Sequence, residues 1–140
     1  MALEVDTVAT MVAALRAASA FATYLGTVDG DVPVIDTEAP EGFENDSKAV
    51  IVILESEEKR NGAVQASFLC RCYGGTALPS DARAVARALG SRISEISSQG
   101  AAVGAIRFMG ATLANSFPTV DHGWPVQVAR VTATMENSQL

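Results

Sequence analysis

Two cysteines separated by a single residue are the most reactive side chains that this sequence places close together. They lie in the stretch FLCRCYGGT, from Phe68 to Thr76, where Cys70 and Cys72 are followed by a tyrosine and two glycines. A stretch of this kind could form a redox pair, contribute ligands to a metal site, or lead a strand into a phosphate-binding loop. Each possibility requires a particular geometry or additional residues, which the rest of the sequence must supply.

The polar–apolar alternation across Ala63–Tyr73 predicts a strand, and strand geometry argues against a disulfide between the two cysteines. Residues two apart in a strand have Cα atoms ~6.5–7 Å apart, at or beyond the usual disulfide limit. A structural zinc ion needs four ligands, whereas the chain contains two cysteines and one histidine. We therefore predict that Cys70 and Cys72 are small apolar residues on the core-facing side of this strand.

The paired glycines Gly74 and Gly75 precede a predicted helix, as phosphate-binding glycines do. A phosphate loop usually adds a Lys and a Ser or Thr at fixed spacing, and this stretch lacks that pattern. Residues 76–79 also separate the glycines from the helix, and Asp81 already places a negative charge in the first helical turn. The sequence therefore favours a strand end over a phosphate site.

The lone histidine, His122, lies beside Asp121 and Trp124 in the sequence DHGWP. Acid–base catalysis by such a pair needs a nucleophile or a second acid within reach, and no partner is recognisable. We interpret the segment as a turn between two strands, with Trp124 at the edge of the core or in a subunit contact. The residues thus indicate no catalytic, cofactor-binding or metal-binding site, and we expect a protein that is not an enzyme and uses no cofactor.

The net charge of -6 is concentrated in one segment of the chain. Between Asp29 and Asp46 there are seven acids and no base, whereas the remaining nine acids and ten bases sum to +1. Binding nucleic acid through charge requires a basic surface, so a direct grip on phosphates is disfavoured. The acidic segment is either a solvated loop or a loop that acts in an assembly, ordered against a neighbour or facing a channel through which DNA passes.

Apolar spacing predicts two amphipathic helices. The first spans about residues 6–23, with Asp6 or Thr7 as its cap and Gly26 as its stop. The second is capped by Ser80, and its arginines Arg83, Arg87 and Arg92 lie mostly outside the buried stripe. That stripe consists of Ala82, Val85, Ala86, Leu89, Ile93 and Ile96.

The predicted strands surround the second helix in the sequence. A short strand at about 32–35 lies within the acidic loop, and Lys48–Glu55 has the composition of a strand buried on both faces. A charged turn from Glu57 to Gly62, with Asn61–Gly62 as a hairpin signal, connects it to the next strand. Two further strands are expected near Val103–Leu113 and Val126–Met135, with a turn between them.

These elements predict an α+β fold: one domain over residues 1–140, with a mainly antiparallel sheet and two principal helices packed on one face. A long acidic loop is expected at about 27–47 and a polar tail at about 136–140. No run approaches the ~18 apolar residues that span a bilayer, and no secretion-signal pattern opens the chain. We expect a protein made in the cytoplasm, with reduced cysteines and no membrane association.

The order of motifs resembles the tail terminator, or tail completion, proteins of long-tailed bacteriophages. The resemblance extends over about residues 5–135, and it consists of shapes and spacings rather than catalytic signatures. The motifs are APEGFEND at 39–46, KAVIVILES at 48–56, RCYGGT at 71–76, DARAVARAL at 81–89 and VDHGWP at 120–125.

This resemblance implies a subunit of a hexameric ring that caps the tail tube, ends tube polymerisation and offers a surface to the head connector. The implied partners are further copies of the chain, the tail tube protein and the head–tail connector or neck protein, with DNA passing through the ring without specific binding. The implied location is the host cytoplasm during assembly and then the head-proximal end of the tail in the virion. The alternatives are a head-completion or neck adaptor protein of a phage and, in a different class, a small cytoplasmic enzyme or ligand-binding α+β domain.

Overall fold

A six-stranded sheet carries three helices on one of its faces. The structure, a computed structural model, describes residues 5–28, 30–36, 47–121 and 123–137. In chain order the elements are α1 (Thr7–Arg16), α2 (Ala20–Leu25), β1 (Val34–Ile35), β2 (Lys48–Arg60), β3 (Ala63–Gly74), α3 (Pro79–Gln99), β4 (Ala102–Val103), β5 (Ile106–Asp121) and β6 (Trp124–Asn137). The spatial order of the strands is β1-β2-β3-β6-β5-β4. Every pairing is antiparallel except that of β1 with β2, so the predicted α+β fold is confirmed.

The main core lies between the helices and the inner face of the sheet. In β3, Phe68, Cys70 and Cys72 point into this core and are fully buried, as the alternation predicted. The predicted stripe of α3 is also confirmed: the buried residues of α3 are Ala82, Val85, Ala86, Leu89, Ile93 and Ile96. Both periodicities identified the face that points into the main core, because the core-facing side chains repeat with the period of each element.

A second, smaller apolar cluster lies on the face of the sheet opposite the helices. It is formed at one end of the central strands by Ala49, Ile51, Tyr73, Val126 and Val128. These residues alternate with core-facing neighbours such as Val50 and Cys72, which places them on the outer face. The sheet is therefore buried on both faces at this end.

The helix predicted over residues 6–23 is in fact two helices. Asp6 caps α1 by accepting a hydrogen bond from the backbone N–H of Ala9, and Ser19 caps α2 in the same way through Ala22. The chain bends between them because Ser19 offers a second cap, and apolar periodicity alone does not report such a break. Gly26 ends α2 with φ of +74°, as predicted.

Arg92 departs from the prediction that it lies mostly outside the buried stripe of α3. Its side chain is 10% exposed, forms an ion pair with Glu95, and donates a hydrogen bond of 2.9 Å from Nη2 to the carbonyl oxygen of Ala14. That acceptor lies near the end of α1, where helix carbonyls lack partners within the helix. Arg92 thus holds α1 against α3.

The strands of the first hairpin run further than predicted. β2 continues to Arg60, and the predicted turn over Glu57–Gly62 shrinks to Asn61 and Gly62, whose φ angles of 45° and 83° suit a two-residue hairpin. The prediction that β2 is buried on both faces holds only near the start of the strand, because Ile53 and Leu54 are 39% and 37% exposed. The pairing with β3 extends the strand beyond the area that the helices cover.

The second hairpin shows the same extension. Pro118 and Asp121 lie inside β5 and Pro125 inside β6, although the sequence predicted a turn there. Pro118 is tolerated because β5 is unpaired on its outer side at this point, so the missing N–H breaks no ladder bond there. The predicted polar tail is also partly wrong, since β6 includes Glu136 and the buried Asn137.

Two other predictions concern the ends of segments. The N-cap of α3 is Leu78, followed by Pro79, and Ser80 lies inside the helix instead of capping it. Within the predicted acidic loop at about 27–47, the structure shows β1 at the sheet edge, close to the short strand that was expected. Residues 29 and 37–46 of that loop, and 138–140 of the tail, lie outside the described residues.

Gly74 is predicted to be the glycine least tolerant of substitution. A Cβ at this position would lie 2.5 Å from the backbone nitrogen of Ala82 and 2.5 Å from the backbone carbon of Asp81. We expect Gly74→Ala to lower the free energy of unfolding by about 2–3 kcal/mol or more, because backbone atoms cannot move aside. Urea unfolding followed by circular dichroism measures this change.

Gly90→Ala is the matched control for the Gly74 prediction. Gly90 lies inside α3, and an added Cβ would only touch Leu113 at 3.9 Å. We expect this variant to be more stable by about 0.5–1 kcal/mol, because alanine is the better helix former. Equal effects of the two substitutions would contradict the close approach of α3 to the end of β3.

Candidate assembly surfaces

The two cysteines lie at positions where their thiols are unreactive. Both are free thiols, both are buried in the main core, and neither is in a disulfide. Burial raises the pKa of the Cys70 thiol to about 12, and burial together with the nearby Cys70 raises the pKa of Cys72 well above its ordinary value. Both thiols are therefore protonated at neutral pH and act as packing residues, as the sequence predicted.

The paired glycines allow α3 to pack closely and the chain to turn, and they do not form a ligand site. Gly74 admits the backbone of α3, and Gly75 has φ of 78°, which suits the turn from β3 toward the helix. The hydroxyl of Thr76 accepts a hydrogen bond from the backbone N–H of Leu78 and donates one to the carboxylate of Asp81. An acid thus lies at the start of α3, where a phosphate would otherwise sit.

Asp121 is committed to contacts within the protein. Its carboxylate accepts a hydrogen bond of 2.8 Å from the hydroxyl of Tyr73 and lies 3.4 Å from Nη2 of Arg71. Burial, and then the bond to Asp121, raise the pKa of Tyr73 to about 12. His122 lies outside the described residues. The arrangement fastens the end of the second hairpin to β3, and Trp124, opposite Asp121 in the register, is half-buried there.

Two long strand edges remain open on opposite sides of the sheet. β1 pairs only with Val50 and Ile51, and β4 pairs only with Ile106 and Arg107. No described strand therefore pairs with the outer side of β2 beyond Ile51, or with the outer side of β5 beyond Arg107. An open strand edge presents unsatisfied backbone N–H and C=O groups and is a template for pairing with another chain.

Exposed apolar side chains accompany these open edges. On β5, Met109, Phe117 and Val120 are 54%, 49% and 67% exposed, and on β2 the exposed pair is Ile53 and Leu54. Large apolar residues at strand edges are a feature of surfaces that become buried in assemblies. The sequence missed this feature because it predicted a turn over residues 114–125 and a buried strand at Lys48–Glu55.

A shallow groove, which we call the α3–β5 groove, runs between α3 and the middle of β5. Arg87, Gly90 and Leu113 lie where its two parts meet, with Arg83 and Ser116 in one part and serines of α3 in the other. The sequence feature that pointed to this groove was the position of Arg83 and Arg87 outside the apolar stripe of α3.

The described residues show neither a metal site nor a membrane span. Within the ranges that the structure covers, no group of three or more His, Cys, Asp or Glu side chains is placed to hold a metal ion. None of the helices in the described part of the chain is both long and apolar enough to cross a bilayer. Of the seven acids between Asp29 and Asp46, the structure describes Asp31 and Asp36, and both are exposed.

Comparisons with known proteins give a likeness in structure. No protein-family model matches the chain. No curated protein matches its sequence either. Among solved structures, the fold is similar to that of a chain from the virion of a native gene transfer agent particle, with a TM-score of 0.62 and 18% sequence identity. The match covers 92% of this chain and 93% of that one. At this identity the match establishes that the two chains share a fold over nearly their whole lengths.

The burial of both thiols predicts that they are inert in the folded protein. With a thiol-alkylating reagent at pH 8, we expect labelling of Cys70 and Cys72 to be slower than in the urea-unfolded chain by a factor of at least ~100, because only opening of the core exposes them. Mass spectrometry of the labelled protein measures both rates. Labelling of either cysteine at the unfolded rate would contradict the buried placement.

Proposed function

We propose that this chain is a structural protein of a phage-type virion, and that a ring of its copies caps the tail tube. In this proposal the ring has six subunits, ends tube polymerisation and forms the surface that joins the head connector. The observation that carries the proposal is the shared fold with a chain of a virion particle over more than nine-tenths of both chains. The motif order seen in the sequence supports the same class of protein.

The positions of the open edges support assembly into a ring. The edges of β2 and β5 are separated by three strand spacings, roughly 14 Å, and face in opposite directions. A contact between the β5 edge of one copy and the β2 edge of the next joins two different surfaces, so it is heterologous. Heterologous contacts with a suitable rotation close into rings, whereas a two-fold dimer would use the same edge twice.

The absence of a reactive constellation in the described residues agrees with a role carried by surfaces. Among the candidate chemical groups that the structure describes, the cysteines pack in the core and Asp121 is bonded inside the protein. The exposed surface includes backbone at strand edges, apolar side chains and a groove that contains two arginines. A stable ring contact of this kind buries on the order of 800 Å² per partner.

Deletion of the gene in its parent particle tests the proposed function. We expect filled heads beside unattached tail tubes of abnormal length, because nothing would end tube polymerisation. Negative-stain electron microscopy of the lysate gives the distribution of tube lengths, and expression of the intact gene in trans is the control. Tubes of normal length that fail to join heads would contradict capping and would favour a neck adaptor instead.

The location of the protein provides a second test. We expect an antibody or gold label on this chain to lie at the head-proximal end of the tube, on free tubes as well as on complete particles. A label on isolated heads but never on free tubes would contradict the proposal.

A further inference from the structure

Arg83 and Arg87 are distinctive among the basic residues of this protein. All ten Lys and Arg residues lie at described positions, and the other eight each take part in a hydrogen bond, an ion pair, a ring contact or another electrostatic interaction. The side chains of Arg83 and Arg87 have no such contact with a described residue, and both are exposed. They lie four residues apart on α3, so two like charges are neighbours on the helix, which is slightly unfavourable without a partner.

Both arginines line the α3–β5 groove. The groove also contains Gly90 and serines of α3, which are too small to fill it, and its far wall is the middle of β5. Because no described strand pairs with the outer side of β5 beyond Arg107, backbone donors and acceptors are available along this wall. The groove therefore suits an acidic segment that follows a strand joined to the β5 edge and offers its carboxylates to the arginines.

The chain itself contains a segment with the required charge. The segment from Asp29 to Asp46 has seven acids and no base. It is anchored at β1 and at the start of β2, which form one edge of the sheet, whereas the groove borders β5, four strand spacings or roughly 19 Å away. The helix layer lies on the sheet between the two edges within one copy. In a head-to-tail pair of copies, the β1–β2 edge of one meets the β5 edge of the next.

We propose that the part of the acidic segment between β1 and β2, residues 37–46 with four acids and no base, docks in the α3–β5 groove of the neighbouring copy, with its carboxylates paired to Arg83 and Arg87. This inference rests on the proposed ring and names the contact that orders its subunits. It gives the acidic segment a partner of opposite charge, and it gives these two arginines the partner that they lack among the described residues of one copy. The contact joins two different surfaces, as a closed ring requires.

A peptide titration tests the docking step without any tail tube. The probe is a synthetic peptide of residues 27–47, titrated into ¹⁵N-labelled full-length protein carrying E38Q, E41Q and E44Q, so that the segment of the protein itself competes less. We expect amide signals of Arg83, Arg87, Gly90 and Leu113 to shift, and the affinity to fall roughly tenfold or more in R83E/R87E and at raised salt. Unchanged spectra at millimolar peptide, or equal binding by R83E/R87E, would overturn the proposal.

The matched control variant is K59E/R60E. It changes the net charge by the same amount as R83E/R87E, but its residues lie at the tip of the β2–β3 hairpin, away from the groove. We expect this variant to bind the peptide as the parent protein does. A loss of binding equal to that of R83E/R87E would show that net charge alone attracts the peptide and would overturn the specific site.

Spectra of the unsubstituted protein distinguish docking between copies from docking within one copy. At low protein concentration, we expect the α3 signals to lie at the positions seen for the E38Q/E41Q/E44Q protein without peptide. As the protein concentration rises, we expect them to move toward the positions seen with bound peptide. Signals that are already at the bound positions, and independent of concentration, would overturn docking between copies. The titrations use no tubes, so a negative result contradicts docking and does not contradict tube capping. Normal tube lengths after gene deletion would contradict tube capping and would not contradict docking.

Discussion

The close approach of α3 to the inner face of β3 is the constraint on which the rest of the structure depends. The helix begins only a few residues after the strand ends, and its backbone comes within 2.5 Å of where a side chain on Gly74 would be. Small core residues of β3, including Cys70 and Cys72, leave room for Leu89 and Ile93 of α3. Because protein interiors are close-packed, this one contact fixes the position of the helix along the whole sheet.

The placement of the helices determines which surfaces remain available. All three helices cover the same face, and Arg92 joins α1 to α3 by donating to a carbonyl at the end of α1. β2 and β5 extend past the short strands at the sheet edges, and no described strand pairs with their outer sides there. The sheet therefore ends in two different open edges, a geometry that natural monomers generally avoid.

Opposite charges lie at the two open edges of the sheet. The acidic segment is attached at the β1–β2 edge, and Arg83 and Arg87 lie beside the β5 edge. Opposite charges at opposite edges attract when copies meet head to tail and repel when like edges meet. Such an arrangement selects the relative orientation of subunits and speeds their encounter more than it adds affinity. The proposed ring thus draws its specificity from charge and its stability from buried apolar area and backbone pairing.

The sequence by itself determined the α+β class, the stripe of α3, the alternation of β3 and the Asn61–Gly62 turn. Each of these depends on residues close together in the chain, whose burial repeats with the period of the element. The tertiary structure decided the break after α1, the role of Arg92 and the full lengths of β2, β5 and β6. A strand continues for as long as a neighbouring strand supplies hydrogen bonds, even through Pro118, so its ends depend on a partner distant in sequence. The α3–β5 groove exists only because α3 packs beside the open edge of β5, and no local pattern of residues encodes that proximity.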